Sequence, residues 1–581
     1  MFSTALSCDG IAGRVEGRLG SRLVGLVAAC GVAIAAPALA KPQVLDLVPE
    51  GASGVVAVNN LGGAMADLRA FMTASNLPAV GGEMQAMLAE VDGVAVNAGG
   101  SAAFFMIGQS SDSVMLLPVT DYKEFVTARG GVGAGVEEVD FGGQGVFVKS
   151  VGNGYAALSD DGDNLEDWVP TGGHMNTHVG SMGTRAFGAA VEADVFIIGS
   201  IASLAGEWRE SYEGMKGMAM MFGGPEAAQG FAALDPLVGA FLNDAQTGVV
   251  TLDFAGDGVT ARALSRFKEG SMLAGLFTGK SDTEGLMARV PDMPFAMAAA
   301  FDTSSPGVQS ILGMISANLP EGQGAQANAM MQMLTSSDGG SFVLGAPSMQ
   351  EMSIGAGAFV RSAAYYRSKD PAAFKRAMAQ NLEAANGQTT EQEGMTITTT
   401  TSYRPEARTI EGVTVDEWGV ATNIDAENNE QAMQAQMAMS MMFGSNGLGG
   451  YMASSDNGVV MTMSRNSQML TQAMATANDG GGLGTNAELN AISNKLPENR
   501  ALEMYIGVDK LLGIGAAFLG EVPPMPPVGI VAASGDGTAE IALHISPAVI
   551  SKGMELGMMF GAMGAGPGME FEEEDDGGPA F

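Results

Sequence analysis

Methionine is the largest chemical reserve in this chain, at 42 of 581 residues. A thioether is a soft ligand that prefers Cu(I) and keeps its lone pairs unprotonated in an oxidising compartment. Three clusters have the density for such a site: Met215, Met218, Met220 and Met221; Met433, Met437, Met439, Met441 and Met442; and Met554, Met558, Met559 and Met563. Within these, Met215, Met218, Met221, Met433, Met437 and Met441 are the candidate copper ligands. The competing account is packing. Met433, Met437 and Met441 follow the i, i+4, i+8 spacing of a buried helix face, where methionine is a flexible filler. Packing is the reading that the spread of methionine along the whole chain favours.

Other constellations are weaker. His174 and His178 stand four apart, as a helical metal pair would, but Pro170-Thr171-Gly172-Gly173 just before them predicts a loop. Asp160, Asp161, Asp163 and Asp167 lack the glycine and distant glutamate of an EF-hand and read as a polar turn capping a helix. Ala274 to Ser281 nearly spells a phosphate-binding loop. Met272–Phe277 reads instead as the end of a helix, and Ser281 with Glu284 as a capping box. No Gly-x-Ser-x-Gly elbow occurs, and no Gly-x-Gly-x-x-Gly follows a strand. His544 is alone in an apolar strand and reads as a core or sheet-surface histidine. Carboxylate pairs are too numerous for the sequence to single one out.

Composition narrows the partners. The formal net charge is −36, and apolar residues make up 46%. Without residues 1–40 the chain keeps 62 acids and 25 bases, a surface that repels nucleic acid and anionic lipid headgroups at long range. The apolar fraction is enough for a large core.

Three arginines precede an apolar run from Leu23 to Ala36, which Pro37 breaks. Ala38 and Ala40 then place small residues at both cleavage-determining positions. This is the layout of a secretory signal peptide cut after Ala40. A retained anchor is the alternative, because Leu23–Ala40 reaches the minimum span of about 18 residues. Val27-Ala28-Ala29-Cys30 has the form of a lipoprotein box but lies too close to Arg22. Both cysteines, Cys8 and Cys30, fall in the removed segment, so the mature chain has no disulfide or thiolate site.

The elements that would position any site are legible. Asp370-Pro371 caps and opens a helix carrying Phe374, Met378 and Leu382, ended by Asn386-Gly387. Asp425 is expected to cap a second helix, the methionine-striped one, which stops at Gly444. Residues 54–58, 147–150, 249–254, 259–267, 396–403, 459–464 and 539–545 read as strands, with hairpin turns at 152–154, 256–258 and 535–537. The expectation is an α+β fold built of tandem, diverged modules, each an antiparallel sheet with helices packed on one face. The divisions are a signal peptide at 1–40, modules at 41–190, 191–345, 346–485 and 486–569, and a disordered acidic tail at 570–581.

Three openers recur: Val48-Pro49-Glu50, Val290-Pro291-Asp292 and Leu496-Pro497-Glu498, each preceding an apolar strand and then a helical run. Met-Met-Phe-Gly also recurs, at 220–223, 441–444 and 558–561. These openers, the segment Leu117-Pro118-Val119-Thr120-Asp121-Tyr122-Lys123-Glu124-Phe125, and the Asp257-Gly258-Val259 hairpin leading to Phe267-Lys268-Glu269-Gly270-Ser271 resemble an exported bacterial family known only as a domain of unknown function, the 3352 type. The resemblance implies an envelope location and repeated α+β modules, and brings no activity or site residues.

The expected function is therefore a non-catalytic exported cell-envelope protein, in the periplasm or envelope, that binds an unknown envelope protein or ligand or serves as a structural module. It has no membrane span once the signal is cut. The alternatives are a methionine-rich Cu(I)-binding protein or a carrier of an apolar ligand, with a carboxylate hydrolase last. Export predicts that the protein recovered from its native envelope has an intact mass beginning at Lys41; a mass that retains residues 1–40 identifies the anchor instead.

Overall fold

The computed structural model describes residues 43–49, 52–76, 93–107, 113–166, 174–200, 209–210, 212–217, 235–317, 332–347, 351, 357, 360–392, 395–426, 433, 436–437, 439–440, 442–444, 447–514 and 522–564. The signal segment with Ala38 and Ala40, both cysteines and the acidic tail lie outside the described residues.

The chain first forms β1 (Ala52–Val58), α1 (Leu61–Ala74), β2 (Ala102–Ile107), β3 (Ser113–Pro118), α2 (Tyr122–Thr127), β4 (Glu137–Phe141), β5 (Gln144–Gly152) and β6 (Tyr155–Ser159). Next come α3 (Asp163–Glu166), α4 (His174–Ser181), α5 (Gly183–Glu192), β7 (Val195–Ser200), α6 (Asp235–Asp244), β8 (Ala245–Ala255), β9 (Gly258–Phe267) and α7 (Met272–Leu276). The second half runs α8 (Glu284–Met287), β10 (Phe295–Phe301), α9 (Pro306–Ala317), β11 (Gly339–Gly345), β12 (Ser362–Arg367), α10 (Pro371–Ala385), β13 (Thr389–Gln392), β14 (Met395–Ile410), β15 (Val413–Ala426), β16 (Leu448–Ser455) and β17 (Gly458–Thr462). It closes with α11 (Ser467–Asp479), α12 (Ala487–Ser493), β18 (Arg500–Ile506), α13 (Val508–Ile514), β19 (Val528–Gly535), β20 (Thr538–Ile545) and α14 (Pro547–Gly564).

Local chemistry sets many of these ends. Asn60, Asp121, Ser271, Asp370 and Asn486 each accept a backbone N–H at the start of the helix that follows. The predicted strands form, as do the three hairpin turns, with Asn153 and Asp536 at positive φ.

Among the described residues, all named strands belong to one antiparallel sheet. Its centre is the pairing of β9 with β20, in register from Val259–Ile545 to Arg266–Thr538. Outward from β9 the order is β8, β7, β1, β2, β3, β6, β5, β4. Outward from β20 it is β19, β18, β10, β11, β12, β17, β16, β15, then β14 and β13. The two directions follow the same pattern of connections. Pairing crosses the positions 190, 345 and 485, since β1 joins β7, β11 joins β12 and β10 joins β18.

The helices lie on both faces of the sheet, which corrects the one-face expectation. Along β1, Val56 and Val58 pack with α1 and α2, while Val55 and Ala57 pack with α4 and α5. In the second half α10 covers one face and α11 with α12 the other. The physical reason is that these central strands are apolar on both sides, so neither face can be left to water. On the α1 face two contacts cross between the halves. The C-terminal α14 packs on α1 through Ile550, near Phe71 and Phe254. Short α7 packs on α9 around Phe267 and Leu273.

Three local expectations are corrected. Asp425 lies on β15 opposite Thr396, because the β14–β15 hairpin continues to Ala426. Residues 433, 436–437, 439–440 and 442–443 are nonetheless helical, and Gly444 at φ 77° ends that run. His174 to Ser181 is helix α4, its start set after the glycine pair that had suggested a loop. The Ser281 and Glu284 capping box does not form: Thr283 is the cap position without a side-chain bond, and Asp282 accepts from Gly285 instead.

Beneath the central pair, on the α5 face, charge joins the two halves. Arg185 of α5 donates from Nε to Glu540 of β20 at 2.6 Å, and from its other nitrogens to the carbonyls of Ser534 and Glu498. Arg262 of β9 stands 3.9 Å from the same carboxylate, which is 2% exposed. Removing one partner of such a buried pair strands the other charge. Arg185→Leu is expected to lower unfolding free energy by about 3 kcal/mol, and the double change Arg185→Leu with Glu540→Leu by clearly less. Urea unfolding of the four proteins of this cycle checks the coupling.

Candidate functional site

The alternation of β9 and β20 sends opposite chemistry to opposite faces. Thr260, Arg262, Leu264 and Arg266, with Thr538, Glu540, Ala542 and His544, point to the α5 face. Val259, Ala261, Ala263 and Ser265, with Ala539, Ile541, Leu543 and Ile545, point to the α1 face.

On the α1 face the directly paired residues line up into two rows that cross the strands. The first is Val56, Ile197, Val250, Ala263, Ile541, Ala532, Leu502 and Phe301. The second is Leu252, Ala261, Leu543, Ile530, Met504 and Ala299. Every member is apolar, yet the first row stands open: Ile541 is 60% exposed, and Ile197, Val250, Ala263 and Leu502 are exposed with it. Helices α1 and α14 cover the strand ends near Phe254 and Val259, and α6, α7 and α9 the opposite ends near Ala245 and Phe267. The result is an apolar trough, floored by the middle of the sheet and walled by helices along both sides. A contiguous exposed apolar patch of this kind marks an interaction site more often than scattered surface leucines do.

The reverse side of the same strands carries the titratable groups. Thr260 and His544 share a hydrogen bond at 2.9 Å between Oγ1 and Nδ1, both side chains buried. Burial, with the Lys495 charge adding to it, lowers the His544 imidazole to about 4, and Asp257 opposes the shift. Lys495 pairs with Asp257 across the two halves. Asp253, opposite Thr260 on β8, is raised by burial to about 6, against the pull of Arg262 and a hydrogen bond from the Asp194 backbone. Glu503 on β18 is also raised by burial, although Arg500 and Tyr505 both donate to it. These groups lie under α5 and α12 and hold the sheet together.

The sequence-predicted ligands do not converge on this site. Met433 and Met437 are helical residues one turn apart, 63% and 65% exposed, so packing does not account for them. Met215 is likewise exposed on helical residues 212–217. Met218, Met221 and Met441 lie outside the described residues. The methionines that do pack in the core are others, such as Met65, Met182 and Met452. The His174 side chain is outside the described set, and His178 is half-buried. Asp161 accepts from the Asp163 N–H at the start of α3, as a capping turn does. Ser271 caps α7, so the near-match to a phosphate loop is a helix and its exit. Among the described residues no three His, Cys, Asp or Glu side chains gather as a metal site, and no helix is long and apolar enough to cross a membrane.

Sequence reasoning missed the trough. A signal was present: Arg262, Glu540 and His544 are polar residues placed inside strong strands. Comparison of the chain with known protein families, with curated proteins and with solved structures finds no match.

Asp253 gives a pH test of the polar side. A carboxyl whose folded pKa lies above its unfolded value of 3.8 adds stability below that value and loses it as pH rises through about 6. The stability difference between Asp253→Asn and the parent chain, read by thermal unfolding, is therefore expected to shift in favour of the variant from pH 4 to pH 7. His544 is common to both proteins and cancels.

Proposed function

We propose that this chain is a non-catalytic exported envelope protein whose working surface is the apolar trough, and that it binds an apolar ligand there. The observation that carries the reading is the open row from Ile197 to Leu502 at the centre of the sheet. A sheet of this size covers its apolar faces with helices elsewhere. Leaving this strip bare costs solvation free energy, about 25 cal/mol per Å² of apolar surface, that a bound ligand would recover. The layout of residues 1–40 supports the envelope location, and the strand openers support kinship with the exported family they resemble. The matched strand order on either side of β9 and β20 supports repetition of an α+β unit, with the seam as the join.

A methionine copper site is the second reading, favoured by the exposed thioethers of Met433 and Met437. It ranks below the first because, among the described residues, this pair of thioethers is one or two donors short of a Cu(I) shell.

The test is binding of the neutral fluorophore N-phenyl-1-naphthylamine. The parent chain is expected to enhance its emission. Ile541→Asp, which adds a charge at an exposed floor position with little effect on stability, should weaken binding at least tenfold. Undiminished binding by a folded Ile541→Asp protein would place the apolar surface elsewhere and refute the reading.

A further inference from the structure

We infer that the ligand is a single-chain lipid, held by one linear acyl chain of about 14–18 carbons lying across the strands. The inference rests on the proposed trough and adds the chemical class of what fills it. Three features of the site carry it.

The first is length. From Ile197 on β7 to Leu502 on β18 the open row crosses five strand spacings, through β8, β9, β20 and β19. At about 4.8 Å per spacing the floor runs roughly 24 Å between its end strands, which, less room for the terminal methyl and the head-end atoms, holds an extended chain of about 14–18 carbons, roughly 17–22 Å long. Beyond those ends the rows meet covered ground. Val56 packs against the core under α1, and Phe301 stacks edge-on to Tyr366 at 6.5 Å.

The second is chemistry. Alanine, valine, isoleucine, leucine, methionine and phenylalanine form both rows, and the floor strands from β7 to β18 are hydrogen-bonded to neighbours on both edges. The two rows therefore offer contact area without a side-chain hydrogen-bonding group to align a peptide or a sugar, with Ser265 and Ser534 set to one side of them. Each methylene buried there contributes about 0.8 kcal/mol. Selection then acts on chain length.

The third is shape and charge. Helices wall the trough along both sides, with Phe71 and Ile550 on one and Phe267 and Leu273 on the other. Helices over the strand ends of β8, β9 and β20 disfavour contact with a flat bilayer and leave the floor open to one chain from above, with the headgroup in solvent. The chain's net charge of −36 disfavours an anionic headgroup there, more so at low salt.

The experiment displaces N-phenyl-1-naphthylamine from the full mature chain with monoacylglycerols of 8 to 20 carbons, below their aggregation concentrations. Sodium carboxylates of the same lengths form a second series. Displacement is expected to strengthen with each carbon up to about 14–18 and then level off. The carboxylates should displace more weakly, with the gap narrowing as salt rises. Ala263→Trp, which fills the floor from an exposed position, should move the optimum to shorter chains while circular dichroism stays unchanged. If the dye binds and Ile541→Asp abolishes its binding, yet no acyl chain displaces it, the trough reading stands and the acyl inference fails. Affinity that keeps rising to 20 carbons, or cosedimentation with phosphatidylcholine vesicles in place of monomer binding, also overturns it. Dye binding that ignores Ile541→Asp brings down the trough reading itself.

Discussion

Glu540 sits where two half-sheets meet, 2% exposed, with Arg185 from a helix of the first half on one side and Arg262 from the neighbouring strand on the other. A carboxylate is held in such a place only by cations and hydrogen bonds. Those cations also fix geometry. Arg185 reaches the carbonyls of Glu498 and Ser534, so α5 is tied to the second half of the chain at three points. The register of β9 on β20 follows, and with it the alignment of both apolar rows on the opposite face. A slip of one residue would turn the arginine and glutamate into the trough and the isoleucine under the helices.

The same use of scarce cations recurs. With few bases among many acids, cationic side chains satisfy carbonyls at and just beyond helix ends. Lys149 donates to the carbonyls of Leu165 and Glu166, Arg289 to Ala477, and Arg500 to Ser493 and Leu496. Asn59 does this for α5 through Ala190. Each places positive or donor character against the negative end of a helix dipole and satisfies carbonyls that the helix leaves open. The acidic surface thus coexists with a framework that is locally neutral where it is buried.

Strand positions were legible because the alternation and the turn residues are strong: Gly256-Asp257 and Asp536-Gly537 announce the hairpins that flank the seam. The helix start at Asp370 was legible from capping chemistry. What the alternation could not tell was its direction. In β20, Glu540 and His544 alternate with Ile541 and Leu543, and the usual rule for such a strand sets the polar side to water, although His544 alone left both a core and a surface place open. The structure inverts this, since a guanidinium from residue 185, some 350 positions away in sequence, waits beneath. Asp425 misled for a related reason: a cap residue before a striped run is also a good strand end when a long partner such as β14 is available. Long-range pairing decides such cases, and one sequence does not display it.

The crossed contacts of α14 on α1 and of α7 on α9 bear on when the chain can fold. Phe71 and Phe254 belong to the first half, but their burial is completed by Ile550, which is made last. The central strand pair likewise joins residues 259–266 to residues 538–545. A nascent first half therefore has an unpaired strand edge and an unfinished core until nearly the whole chain has emerged, and contacts this distant form slowly. For a chain read as exported that delay is useful. Under the proposed export, the chain would stay threadable through a translocation channel and become resistant to opening only on the far side, once α14 docks on α1.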